Sequence, residues 1–263
     1  MTKDPPLIGM RMTAATGPHE PSSAVQHAAA QPREDSRRPS GDAPRRDVFI
    51  TGVTGYMGSR LAPRLIERGH RVRGLVRRGS ESKVPPGVEP VVGDVLDART
   101  WEAALREGGT LVHLVGVAHP SPAKAAQFRT VDLASARAAV GAASRARLGH
   151  FVYVSVAQPA PVMKAYVAAR AEGESILRAS GLEATILRPW YVLGPGHWWP
   201  YVSLPFYKLL EWIPATRESA LRLGMVTLEE MVAAMVNTVD ASPENVRIVN
   251  VEDIRRGNYG GYP

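Results

Sequence analysis

The apolar residues fall into short runs separated by longer amphipathic stretches. Residues 48–50 form an apolar triplet, and 70–76 alternate polar with apolar side chains. Residues 88–92, 110–115, 151–155 and 183–188 are further short runs rich in valine, isoleucine, leucine and phenylalanine. Runs of this kind read as strands covered on both faces. Between them lie helical patterns over 56–68, 97–106, 127–147 and 164–180, of which the first and last are followed by Gly69 and Gly181. Strand and helix alternate, which predicts an α/β fold with a Rossmann-like, doubly wound parallel sheet. Thr227–Glu230 has the spacing of a capping box opening a helix to about residue 239, and 245–251 reads as a last strand.

Both ends fall outside this rhythm. Residues 1–46 mix Pro, Ser, Ala, Gly and Arg without periodicity, so a disordered N-terminal tail is expected. The folded unit is expected over 47–253. A small, aromatic-rich C-terminal cap begins near 190, and a loose tail covers 254–263. Trp190, Trp198, Trp199 and Trp212 all lie in the cap segment, leaving Trp101 alone outside it. Such a cluster is either the wall of an apolar pocket or a patch packed for structure, a homodimer or a peripheral membrane contact.

The chain has 263 residues, of which 44% are hydrophobic, enough for one sizeable core. It has no cysteine, which excludes disulfides and thiolate chemistry. No apolar run approaches the ~20 residues of a membrane span, and no signal-peptide pattern is read at the start, so a cytoplasmic location is expected. The net charge is +7. Seven basic and five acidic residues lie in 1–46, a share of +2, leaving +5 spread over the rest. Because the excess is not clustered, no nucleic-acid partner is expected. A small-molecule substrate is expected instead.

The chemistry is concentrated first at TGVTGYMG, residues 51–58. Three glycines, Gly52, Gly55 and Gly58, stand between a strand and a helix, with Thr54, Tyr56 and Met57 among them. This is the sequence of a turn that lets a pyrophosphate approach the backbone at a helix N-terminus. Arg77 and Arg78 follow the second strand, and no acidic residue lies in 70–80. Arginine there suits the 2′-phosphate of NADP(H), whereas an acid would suit NAD(H), so NADP(H) is favoured. The alternative is a pair of solvated surface arginines. Asp94, with Val95, closes the third strand, where it either accepts a hydrogen bond from adenine or caps a turn.

A second cluster is Ser155, Tyr166 and Arg170. Residues four apart share a helix face, which places the Arg170 cation beside the Tyr166 phenol. A cation there favours the phenolate and fits Tyr166 to exchange a proton with a carbonyl or alcohol. Ser155 is a candidate to bond the same substrate oxygen. The competing reading is a satisfied tyrosine and an ordinary surface arginine.

Taken with Asp94, Ser155, Tyr166 and the segment LRPWYVLGPG at 187–196, the glycine motif resembles the atypical short-chain dehydrogenase/reductases. The nearest branch comprises NmrA-like and NAD-dependent epimerase/dehydratase-like proteins, including relatives of the complex I accessory subunit. The resemblance covers about residues 47–253. It implies a glycine turn that binds pyrophosphate, a Tyr166 acid/base, and a segment from Pro189 to Val192 lying along the nicotinamide. Gly116 would sit near the same ring, with His119, Trp190 and Trp198 as candidate substrate contacts. Three positions depart from the family pattern. Arg170 stands where a lysine is usual, Thr130 is taken to replace the asparagine of the fourth helix, and Val156 and Ala157 follow Ser155. Arginine's planar fork is not equivalent to a point ammonium. The departures leave dinucleotide binding intact and bear on turnover. Three functions follow: oxidoreduction of a small apolar carbonyl, alcohol or quinone; dinucleotide binding without catalysis, as a redox sensor or assembly protein; and, third, a nucleotide-sugar epimerase or dehydratase.

Other chemistries lack their motifs. The histidines have no metal-ligand spacing, so no metal site is expected, and neither a GxSxG elbow nor a GxxxxGK[ST] loop is present.

Overall fold

The computed structural model describes residues 45–195, 222–241 and 245–257. All fall within one compact unit, Asp42–Pro263. The expected tail before residue 45, Trp198 and most of the aromatic segment lie outside the described residues.

Among the described residues, seven parallel strands form the main sheet. They are β1 (Asp47–Thr51), β2 (Arg71–Val76), β3 (Glu89–Val92), β4 (Thr110–His113), β5 (His150–Val154), β6 (Ala184–Arg188) and β9 (Val246–Asn250), in the order β3-β2-β1-β4-β5-β6-β9. Strand alternation divides the apolar residues between two cores. Val48, Ile50, Val112, Val152 and Val154 face one side, where α1 (Gly58–Glu67) and α5 (Leu228–Asp240) contribute Leu61, Leu65, Met231 and Met235. Phe49, Leu111, Phe151 and Tyr153 face the other, against α3 (Ala134–Arg145) and α4 (Lys164–Ala179). The small side chains of α3, including Ala136, Ala139, Ala142 and Ala143, let its backbone approach the sheet. The doubly wound sheet is therefore as the hydrophobic pattern foretells.

Several local expectations differ. No helix forms over 97–106. Instead, 3-10 turns at Ala98–Thr100 and Glu102–Ala104 flank Trp101. Trp101 is 1% exposed, stacks on Phe49 at 5.4 Å and donates its indole N–H to the Asp94 carbonyl at 3.0 Å. Anchoring the indole overrides the helical spacing. The stretch 127–147 is not uniform either. A single α-turn, α2 (Ala125–Gln127), leads into a π-helical segment, Phe128–Leu133, before α3 begins. Two short strands escaped the pattern altogether: β7 (Tyr191–Leu193) pairs in parallel with β8 (Met225–Thr227). The capping box at Thr227 and Glu230 is present as read. A second, Asn250 with Asp253, opens α6 (Val251–Arg256). Residues 254–256, expected to start a loose tail, belong to this helix, and Ile254 is fully buried in the first core.

Replacing Trp101 with Ala removes the largest fully buried side chain among the described residues and leaves a cavity. It is expected to lower unfolding free energy by about 3–5 kcal/mol, measured by urea denaturation.

Candidate dinucleotide site

β1 and β4 lie side by side at the centre of the sheet, and the order reverses between them. In an open α/β sheet the crevice beyond the carboxyl ends of the strands at such a point takes the ligand. The loops ending β1 to β6 bring Gly52, Arg77, Asp94, Gly116, Ser155 and Pro189 to this one edge.

The turn after β1 has the required shape. Gly52 has φ +80°, a region disfavoured for residues with a Cβ. Its carbonyl accepts from Gly55 N at 3.0 Å. Gly58 starts α1 pressed on this turn, where an added Cβ would meet the Gly52 carbonyl oxygen and lie 2.7 Å from Val53 Cα. No side chain caps α1 and no acidic residue occupies its first turn, so the positive end of the helix faces the crevice. This cradle fits a dinucleotide pyrophosphate. Tyr56 and Met57 are half-buried against the first core, Thr54 is exposed, and the Arg60 guanidinium lies 5.0 Å over the Tyr56 ring.

Arg77 and Arg78 are exposed just past β2, and neither forms an ion pair among the described residues. Asp94 is exposed. Its Oδ1 accepts from Leu96 N at 2.9 Å, the turn-capping role weighed above. Val95 packs against the second core. Pro189 is buried and accepts from Ala157 N at 3.0 Å, while Trp190 and Val192 are half-buried against the first core. His119 is exposed with φ 48° in the loop after β4.

Tyr166 and Arg170 do share a face of α4. Arg170 Cζ lies 5.3 Å from the Tyr166 ring centroid, and the same ring packs on Phe128 at 5.0 Å. Tyr166 is half-exposed, and its hydroxyl is not bonded to another described residue. Arg170, by contrast, is only 5% exposed. It donates through Nη1 to the Val154 carbonyl at 3.0 Å, and through Nη2 to the Val115 carbonyl at 3.2 Å and to Asp132 Oδ1 at 2.8 Å. Burial opposes its charge, but the facing Tyr166, Tyr153 and Asp132 raise its pKa beyond the ordinary arginine value. Burial pushes the Asp132 carboxyl up, countered by Arg170 and by Val117 N, which donates to Oδ2 at 3.0 Å. Two donors aimed at its two oxygens favour the carboxylate and oppose the effect of burial.

Three expectations change here. Thr130, taken as the family asparagine's replacement, is exposed and bonds only the Ala126 carbonyl. The π turn instead directs Asp132 inward, fully buried. Ser155 is 3% exposed and donates its proton to Glu174 Oε1 at 2.6 Å, so it is not turned to a substrate oxygen. Arg170 is a buried strut rather than an open cation. Sequence reasoning missed both acids. The available signal was an acid on the buried face of each element, Asp132 beside Phe128 and Leu133, and Glu174 one turn after Arg170, where an acid demands a cation partner.

Beneath the crevice, His113 accepts from Thr51 Oγ1 at Nδ1 (2.8 Å). Ser135 uses its proton on the Asp132 carbonyl, so it accepts from His113 Nε2 at 3.3 Å. Both nitrogens are thus satisfied by a neutral ring, and burial pulls the His113 pKa down to about 3. No group of metal-binding side chains occurs among the described residues, nor a helix long and apolar enough to cross a membrane.

A family model described as NAD(P)H-binding matches residues 52–194. The chain belongs to this NAD(P)H-binding family. Its relatives include reductases and epimerase-type proteins. The ceramide reductase of Caulobacter vibrioides is 29% identical over 219 residues, 81% of this chain and 66% of that protein. A Stigmatella aurantiaca 4-hydroxy-2-methyl-3-oxo-4-farnesyl-3,4-dihydroquinoline-1-oxide ketoreductase is 26% identical, covering 56% of this chain and 50% of its own length. A Mycobacterium tuberculosis 3 beta-hydroxysteroid dehydrogenase/Delta 5→4-isomerase is 31% identical over 41% of this chain and 31% of that one. The chain thus spans less than two thirds of these relatives' length. Among solved structures, the Bordetella bronchiseptica enzyme WbmH in complex with NAD+ matches with TM-score 0.59, 21% identity and 84% coverage of each chain. The dTDP-glucose 4,6-dehydratase DesIV of Streptomyces venezuelae, with NAD and TYD bound, matches at 0.57 and 19%, covering 77% of this chain and 74% of that one. These share the fold of the NAD(P)H-binding chain described here.

His150, whose pKa burial also lowers to about 3, stays neutral beside Thr185 in the native state. Unfolded histidines titrate near 6.5, so below that pH the unfolded chain binds protons that the native chain refuses. Stability therefore falls with pH, and at pH 5 each histidine is expected to have cost about 2 kcal/mol. Denaturation at pH 7 and pH 5, with His150→Gln showing about half the loss, checks this.

Proposed function

We propose that the chain is an NADP(H)-dependent oxidoreductase acting on an apolar carbonyl or alcohol, with Tyr166 as its proton-carrying group. The observation that carries the reading is the unengaged, half-exposed Tyr166 hydroxyl at the same sheet edge as the Gly52–Gly58 turn. When bound, a reduced nicotinamide supplies hydride. Tyr166 Oη gives its proton to the substrate oxygen as the carbonyl carbon becomes an alcohol, and solvent restores it. The Gly52–Gly58 backbone holds the pyrophosphate, and Gly116 lies exposed at the crevice, its missing side chain leaving room behind the loop for the Arg170 guanidinium. Arg77 and Arg78 favour a 2′-phosphate. The ceramide, farnesyl and hydroxysteroid substrates in the relatives' names support an apolar substrate class.

A second reading has its own support. Three of the Arg170 Nη protons go to Val154, Val115 and Asp132, and the guanidinium is buried, which leaves no open ammonium-like contact for a ribose. That commitment favours dinucleotide binding without turnover, as in a redox sensor or an assembly protein.

Two measurements separate these readings. In fluorescence titration, NADPH is expected to bind about tenfold tighter than NADH, and Arg77→Ser with Arg78→Ser to erase that difference. Tighter NADH binding in the wild type would reverse the cofactor assignment. With a panel of apolar ketones and quinones, Tyr166→Phe is expected to lower kcat by about 100-fold or more with NADPH affinity retained. Unchanged turnover removes Tyr166 from the reaction, and no turnover in the wild type favours the binding-only reading.

A further inference from the structure

The loop that follows β4 is fastened by a single ion pair. Arg170 holds the Val115 carbonyl at 3.2 Å, and Asp132 holds the Val117 N–H at 3.0 Å. Gly116, exposed to the crevice, sits between these two fastenings. An added Cβ at Gly116 would meet Arg170 Nη2, so the guanidinium packs directly against the loop from behind. The pair also reaches sideways: Arg170 Nη1 bonds the end of β5 at Val154, and Arg170 lies over the Tyr166 ring. Asp132 reaches this position from the π-helical segment that interrupts the start of α3. Such wide turns recur at functional sites.

We propose that Asp132 is a positioning residue for the nicotinamide end of the dinucleotide, acting through Arg170. The proposal rests on the dinucleotide reading given above. Asp132 neutralises and orients a buried guanidinium, and the pair fixes Val115–Val117 relative to the helix that carries Tyr166. It touches neither substrate nor cofactor. It sets the distance between the crevice floor at Gly116 and the Tyr166 hydroxyl. The adenosine end, bounded by Gly52–Gly58, Arg77 and Asp94, does not depend on it.

The test compares a whole dinucleotide with its adenosine half. Titrations of the full chain use NADPH and adenosine 2′,5′-bisphosphate, which lacks the nicotinamide end. If the wild type prefers NADH, then NADH and ADP replace them. Asp132→Asn keeps the shape and an acceptor for Val117 but removes the charge; Arg170→Lys keeps a charge but cannot span three partners. Both are expected to weaken dinucleotide binding by about tenfold while changing the fragment by less than about twofold. A general loss of structure would lower both affinities together, and that result, or no change in either, overturns the proposal. A wild type that binds neither ligand overturns the dinucleotide reading itself. If the variants do not fold, amide exchange on the wild type decides. The Val117 amide is expected to slow by about threefold or more with NADPH and not with the bisphosphate. Equal slowing with both, or with neither, counts against the proposal.

Discussion

A guanidinium withdrawn from water has to be met by an anion and by acceptors, and here three bonds from the Arg170 Nη groups tie four elements together, while Nε is left without a partner among the described residues. Arg170 draws the end of β5, the loop after β4 and the π turn before α3 onto α4. Leaving either charge of a buried pair alone costs about 3–5 kcal/mol, so none of these elements can shift independently. The same pair decides how the crevice is shaped. Its fixed geometry gives a dry back wall to the loop and leaves Tyr166 as the polar group facing outward.

The pair also explains why this sequence was only partly legible. The sheet was readable because most strands are short apolar runs, several of them bounded by glycine or proline, and because covered strands need few polar positions. The glycine turn was readable because its constraint is local: Gly52 is required by its own positive φ, and Gly58 by the backbone of Gly52 and Val53 a few residues before it. Long-range demands left weaker traces. Trp101 follows a helical spacing in sequence, yet the stacking of its ring on Phe49 and its bond to Asp94 break the helix. Asp132 looks like one acid beside Thr130, and only the extra residue of a π turn decides which of the two points inward. Ser155 looked available because nothing in its neighbourhood announces Glu174, nineteen residues away. Polar groups that satisfy one another across the fold are invisible to periodicity, since each alone reads as a surface residue.

Functionally, the crevice combines a secure part with an altered one. The glycine turn has the features of a phosphate cradle, with glycine at the tight turn and an uncapped helix end, and Arg77 and Arg78 stand exposed at the rim. The wall proposed above to carry the chemistry keeps the tyrosine but encloses its cation. A charge sealed behind the ring still acts on it through a low-dielectric interior, whereas a contact to a ribose requires an exposed donor.

Glu174 has a mechanical consequence. One carboxylate receives Ser155 and Gln158 beyond β5, Arg188 at the end of β6 and Arg178 one turn along α4. With Arg170 one turn earlier, α4 is riveted at two successive levels of its inward face. A helix so held cannot pivot, and His113 gives the floor between β1 and β4 a comparable stiffness. Beyond β2, by contrast, Arg77 and Arg78 stand exposed without an ion pair among the described residues. The side of the crevice that bears Tyr166 is thus the one braced from behind, by two clusters of buried charge on a single helix.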